Sequence, residues 1–352
     1  MTHMRIPLAI LLVALAVCSR SRPPASAASG SSADGRRAET RAVSVSASGL
    51  RRLETRRFSG QHGNGALSVI FLPGAGQAIS SGVDDTARIW DVASGAESKH
   101  FSGPRFHFQD IALSSDGHFS LTPAPDATLH YWTIDSGQDV HQFTGAKMGI
   151  GTVALSADGK LAAGAGQDTA IHVWEVASGK HLRQFPVNAN VVRVAFELGN
   201  SHLRSVEGDG RVCTWSVERD RDRDKDNDKP LGCVAAGSDP VSQAAFAADG
   251  HKVLIGGRYG SLVLWDADRG TPLRKLQGSE ADIVAIAIAP SGNLALSGGA
   301  DQTVRLWDLK TGTQIASTKS SGSYVSCVAF SADETLALFG SDDGAIMVWA
   351  LQ

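Results

Sequence analysis

Residue types able to do chemistry gather at three places in this chain. The first is the run from Glu218 to Lys229, where aspartates at 220, 222, 224, 226 and 228 alternate with arginines and lysines. Alternating carboxylates invite a calcium reading, but a loop of that kind needs Gly at its sixth place and a bidentate Glu at its twelfth. Counted from Asp224, those places hold Lys229 and Ala235, and the interleaved cations neutralise the carboxylates. The run reads as a solvated, charge-balanced hairpin tip, with docking of a charged partner as the alternative.

The second place is His130 with His172, each two residues before a tryptophan. Paired histidines suggest a metal, yet Arg88, Val263, Arg305 and Met347 fill the same place elsewhere, so repeat position accounts for them. The third is the cysteines. Beyond the N-terminal segment these are Cys213, Cys233 and Cys327, an odd number whose spacings match neither a metal nor a disulfide framework. They read as small buried side chains. Cys213 and Cys233 flank one hairpin, which raises the question of a bridge. A register count puts them one residue out of step, on opposite faces, and argues against it. The sequence holds no G-x-S-x-G, H-E-x-x-H, P-loop or dinucleotide fingerprint, so neither a catalytic residue nor a cofactor is expected.

The elements that carry these residues repeat. Trp90, Trp132, Trp174, Trp215, Trp265, Trp307 and Trp349 are separated by 42, 42, 41, 50, 42 and 42 residues. A period of 40 to 45 residues is that of a four-stranded propeller blade. Each tryptophan closes one phrase, as in Asp84-Asp85-Thr86-Ala87-Arg88-Ile89-Trp90 and Asp301-Gln302-Thr303-Val304-Arg305-Leu306-Trp307. Upstream, apolar runs end in Asp158-Gly159 or Ser291-Gly292, and downstream Ser94-Gly95, Ser136-Gly137, Ser178-Gly179 and Thr311-Gly312 mark a second tight turn. Outside the N-terminal segment no stretch keeps a helical apolar period for ten residues. The expected fold is all-β: a seven-bladed β-propeller of four-stranded antiparallel blades. The charged insertion explains the one long spacing, between the third and fourth strands of blade 4.

Over residues 52 to 352 the chain resembles the WD40-repeat family. The Trp-Asp pair stands at Trp90-Asp91, Trp265-Asp266 and Trp307-Asp308, with Trp174-Glu175 a conservative variant. The structural aspartate that the family carries six residues before the tryptophan is here Asp84, Asp126, Asp168, Asp209, Asp301 and Asp343; Tyr259 takes its place in blade 5. The resemblance implies a hydrogen-bonded set of that Asp, the Trp, a strand Ser or Thr and a His. Only His62 falls at the histidine's place, the other blades having Pro104, Ala146, Val187, Gly237, Ser279 and Ser321. The chain ends on a third strand, so the strand around Leu53 to Gly60 is expected to complete blade 7 and close the ring.

The resemblance further implies a non-catalytic scaffold that binds a protein or peptide partner on its top face, where the fourth-to-first and second-to-third turns meet. Carried over by position, the candidates are Arg105, Phe106, His107, Lys147, Met148, Arg258, Tyr259 and Tyr324, of types enriched in interface cores. The alternative, an enzyme or small-ligand binder using the central channel, needs acidic or His residues converging from several blades. Inner strands such as Ile283 to Ala289 are nearly bare of them.

At the N-terminus, Arg5 precedes an apolar run from Ile6 to Val17, too short to span a bilayer and of signal-peptide length. Ala25-Ser26-Ala27 reads as a cleavage site, while Leu15-Ala16-Val17-Cys18 reads as a lipoprotein box with Cys18 as the anchor. The expected organisation is a signal peptide at 1–27, a Ser/Ala/Gly-rich linker at 28–48 and the propeller at 49–352. The chain is expected to be exported, periplasmic or extracellular, and monomeric, with an envelope lipoprotein anchored at Cys18 as the alternative and no other membrane contact. With 33 basic against 36 acidic residues and a net charge of -3, it lacks the basic stripe a nucleic-acid partner would demand.

Overall fold

The turns of each repeat have a local cause. In blade 3 the hydroxyl of Ser156 donates to Asp158 at 2.7 Å, and Gly159 takes φ +70°, which a side chain would resist. Twenty residues on, the Gly179 N–H closes the next turn on the Glu175 carbonyl at 2.9 Å. Between such turns lie strands of five to seven residues in most blades. In the computed structural model, which describes residues 54–74, 76–218, 228–237, 240–278 and 281–351, these strands form seven four-stranded antiparallel sheets. The expected signal peptide, the linker and most of the charged tip lie outside the described residues.

Blade 1 sets the pattern: Ala66–Phe71, Gln77–Gly82, Thr86–Asp91 and Glu97–Ser102, from inside to outside. Burial follows position. The second strand of blade 5, Lys252–Gly257, is buried from Val253 onward, whereas its fourth, Thr271–Lys275, is exposed throughout. A strand covered on both faces has no use for polar alternation, which explains the unbroken apolar runs of the inner strands.

The ring closes as expected. Thr55–Gln61 pairs antiparallel with Ala345–Ala350, in the register Thr55↔Trp349 and Arg57↔Met347. The innermost strand of blade 7, Val325–Phe330, packs in turn on that of blade 1. One N-terminal strand thus covers the edge that blade 7 would otherwise offer for pairing.

Blades 4 and 2 depart locally from this pattern. In blade 4 the strands Arg211–Ser216 and Gly232–Ala235 place Cys213 directly opposite Cys233, with Cα atoms 4.1 Å apart, and the two form a disulfide. The register count that argued against a bridge is therefore corrected. Blades 1, 2, 3, 5 and 6 carry a bulge just before the tryptophan, as between Val173 and Trp174, whereas the blade 4 ladder runs from Arg211↔Ala235 to Thr214↔Gly232 and ends before Trp215. The insertion between Trp215 and Gly232 replaces the short turn from which the register of the other blades can be counted, and a one-residue error turns Cys233 to the wrong face. Cys327 is the one free thiol among the described residues; burial pushes its pKa up to about 12.

In blade 2 the innermost strand is only Ala112–Leu113. Its partner strand, Phe119–Pro123, ends in a proline that has no N–H to offer Asp110, so pairing begins only at Ala112. Asp110 is released from the ladder and turns toward the next blade.

Candidate functional site

The top face is best understood from the one blade in which its polar set is complete. In blade 1 the His62 Nδ1–H donates to Asp84 Oδ1 at 3.0 Å, while His62 Nε2 accepts the Ser80 hydroxyl at 2.7 Å. Ser80 in turn accepts the Trp90 indole N–H at 2.7 Å. A neutral imidazole satisfies both contacts at once. Burial pushes the His62 pKa below its usual range, against the pull of Asp84. Burial alone would raise Asp84, but donation from Thr86, the Gly63 N–H and His62 outweighs it and holds the carboxyl at about 2. The ring needs Gly82 beneath it: a Cβ there would meet His62 Cγ at 2.4 Å.

The other blades lack this histidine and fill its place differently. Trp132, Trp215 and Trp307 still donate to Thr122, Ser205 and Ser297 at 2.9–3.0 Å. Trp174 has Gly164 at the hydroxyl's place and turns to the Thr144 carbonyl, 2.9 Å away. In blade 3 the buried Asp168 is met from the strand by His172 Nε2 at 2.7 Å, and His172 Nδ1 lies 3.0 Å from His181 Nε2. His130 is held by Asp139 at 2.9 Å, and Arg305 pairs with Asp301. His130 and His172 share a repeat position but meet different carboxylates, Asp139 and Asp168. Asp343 accepts from Ser341 and the Ala345 N–H, and the more exposed Asp209 pairs with Arg211.

Blade 4 shows a residue the sequence reading missed. Glu207 stands where the other blades have Gly82, Ala124, Gly166, Gly257, Gly299 or Ser341, and it is 1% exposed. Its carboxylate fills the vacant histidine slot, paired with Arg211 and accepting the Asn188 N–H. Burial raises its pKa, with Arg211 pulling the other way. A glutamate among small residues at a fixed repeat position was the available signal.

Blade 5 gives up the set altogether. Tyr259 replaces the aspartate, Ile255 replaces the hydroxyl residue, and Trp265 is the one repeat tryptophan left half-buried. The turn is different too. Tyr259 has φ 54° and ψ 33° and is followed by Gly260 at φ 72°, the two left-handed residues of a type I′ turn. The other blades need only one such residue there, for example Asp85 or Gln302. An aromatic in this region is strained by on the order of 1 kcal/mol. Its N–H donates to Asp282 at 2.9 Å, and its ring stands 83% exposed beside the exposed Arg258.

The remaining candidates are not equivalent. Lys147 and Met148 are exposed, Met148 by 53%. His107 is half-buried against Asp85 at 2.9 Å. Tyr324 is half-buried, its N–H bonded to Asp342 at 3.1 Å. Phe106 offers no surface: it is 2% exposed, edge-on to Trp132 at 5.3 Å and stacked on Phe101. Arg105 lies over the Phe106 ring and is paired with Asp139 at 2.7 Å. The short 3₁₀ turn Pro104–Phe106 points the ring inward, where it takes the place that His62 takes against Trp90.

At the channel the structure brings together residues from three blades. Asp110 Oδ2 accepts Thr152 Oγ1–H and the Val153 N–H, both at 3.0 Å, and Arg193 Nη1 donates to the same carboxylate at 3.0–3.1 Å. Thr152 repeats the device, accepting the Val194 N–H at 3.3 Å. These side chains satisfy free edge groups of the next inner strand. Sequence reading missed them because comparing equivalent positions of the blades does not show which residues meet between neighbouring blades. Among the described residues no group of three or more His, Cys, Asp or Glu is placed to hold a metal.

Comparison with known proteins agrees with this geometry. The family model described as "WD domain, G-beta repeat" matches residues 137–175, 270–308 and 312–350. Each match runs from the end of one blade to the tryptophan strand of the next. Among solved structures, "Structure of U3-55K" superposes with a TM-score of 0.73 at 18% identity, covering 84% of this chain and 98% of that one. At that identity the likeness is one of fold. No curated protein matches the sequence. The chain is a WD40-repeat β-propeller of seven blades. Propellers of this family typically serve as platforms for protein partners.

Proposed function

We propose that this chain is an exported, non-catalytic scaffold that holds a protein or peptide partner on its top face. The observation that carries the reading is Tyr259, an aromatic kept 83% exposed in a strained left-handed turn where the other blades keep a structural aspartate. Backbone strain that persists at an exposed aromatic marks a place where function opposes stability. Arg258 beside it supplies the other residue type favoured at interface centres. Lys147 and Met148 extend the same face at blade 3.

Export draws support from the Cys213–Cys233 disulfide, since such bonds persist in oxidising compartments. The proposed route is a signal peptide cleaved after Ala27, with a lipid anchor at Cys18 as the alternative exit. A ligand in the channel is the second reading, favoured by the carboxylate and guanidinium of Asp110 and Arg193. Their mutual pairing leaves neither charge free for a ligand, and the scaffold stays ahead.

The test is a pull-down with the mature ring from envelope extract, beside an Arg258→Ala/Tyr259→Ala ring and a ring lacking residues 219–227. The captured protein is then purified and re-bound alone. The scaffold reading expects equal binding by the wild type and the tip deletion, and loss with the top-face variant. Equal binding by all three rings sinks the top-face site.

A further inference from the structure

The missing histidine of blade 2 leaves a cleft that none of the other blades' devices fills. Its volume is about 350 Å³, and it is lined by Gly103, Pro104, Arg105, Ala124, Pro125, Asp126 and His130. The residue types explain why it is open. Pro104 stands at the place of His62 and brings no N–H, and Ala124 stands where blade 4 has the space-filling Glu207. Phe106 replaces the His62 ring against the tryptophan but cannot donate to an aspartate.

Asp126, an exposed residue, is therefore short of donors from the protein itself. In blade 1, Asp84 accepts from His62, the Gly63 N–H, Thr86 and Arg88. Asp126 accepts only from Thr128, through the N–H at 3.1 Å and the hydroxyl at 2.6 Å, both on Oδ1. Among the described residues nothing is bonded to its Oδ2. The two nearby nitrogen-bearing side chains do not help. Arg105 is spent on Asp139 and the Gly137 carbonyl, and His130 is turned to Asp139 and to the Thr128 hydroxyl.

We propose that this cleft seats a lysine side chain presented by the protein partner, with its ammonium on Asp126 Oδ2. The chemistry selects lysine over arginine. One free oxygen suits a compact point charge, whereas the guanidinium fork is best used on both oxygens of a carboxylate. The walls made by Gly103, Pro104, Ala124 and Pro125 are apolar and match a four-carbon stem. The site rests on the top-face reading for its partner, but not on Arg258 or Tyr259.

The experiment is saturation-transfer NMR on the folded ring with Ac-Ala-Ala-Lys-Ala-Ala-NH2, and with the same peptide carrying acetyl-lysine. The wild-type ring should transfer to the lysine methylenes and not to the acetylated peptide. Asp126→Asn should weaken binding about tenfold by removing the charge-assisted contact. Pro104→His supplies from within the donor that blade 1 has, so it should abolish binding while raising the melting temperature. This second variant keeps the test open should Asp126→Asn fold poorly. Absence of transfer to the wild-type ring overturns the proposal, as does equal transfer from the acetylated peptide or unchanged binding by both variants. The Arg258→Ala/Tyr259→Ala ring should bind the peptide like wild type, so loss of the partner from that ring bears on the scaffold reading alone.

Discussion

At the scale of the residue, blade 1 shows what a complete set contributes and when. The Asp84 carboxyl is held at about 2, below its ordinary 3.8, and is mostly buried. A carboxyl depressed on folding stabilises above its unfolded pKa, and that stability is lost as pH falls through the folded value. The shift corresponds to about 2 kcal/mol, present at pH 5 and gone near pH 2. In urea titrations Asp84→Asn should therefore be less stable than wild type by roughly that amount at pH 5, with the gap shrinking as pH drops from 4 toward 2. A gap that stays constant down to pH 2 contradicts the assignment. Most of this set was legible, because His62, Asp84 and Trp90 lie at fixed spacings. Glu207 was missed because its signal lies in residue type at a repeat position and not in the spacing.

At the scale of the element, the period of the tryptophans carried nearly all of the fold, including the strand that closes the ring. What it could not carry was register inside an irregular blade. The insertion after Trp215 replaces the short turn that sets register in the other blades, and one residue decides whether Cys213 meets Cys233. Phe106 failed for a related reason: a short turn, set by Gly103 and Pro104, reverses the direction expected of a loop aromatic. The disulfide closes a separation of 20 residues, the hairpin that carries the charged insertion. Loss of such a bond costs about 3 kcal/mol in a chain-entropy account. Cys233→Ser should lower the urea midpoint accordingly, and dithiothreitol should lower wild type to the same point without affecting the variant. Reductant that lowers both equally contradicts a bond between these two cysteines.

At the scale of the whole molecule, the ring depends on contacts that pass from blade to blade. Asp110 links blade 2 to the Val153 edge of blade 3 and to Arg193 of blade 4. Asp110→Ala leaves the guanidinium and the edge N–H without this acceptor and should cost about 2 kcal/mol. In the Asp110→Ala background, Arg193→Met should recover part of that loss, whereas in wild type it should destabilise. Strict additivity of the two changes would show that the pair does no work across the channel. A coupling of this kind is invisible to a repeat comparison, which aligns each blade with its equivalents and never with its neighbours.

The top face is where sequence and structure agree on Arg258, Tyr259, Lys147 and Met148 as exposed, and where the account is most directly open to test. A photo-crosslinking amino acid placed at 259 reports on the top face. One placed at Leu198, 73% exposed in the first-to-second turn of blade 4, reports on the opposite face. Both rings would be irradiated in envelope extract at equal concentration. The account predicts a discrete crosslinked partner from position 259 and none from position 198. A partner captured from 198 alone, or the same partner from both, would contradict a scaffold that works through its top face.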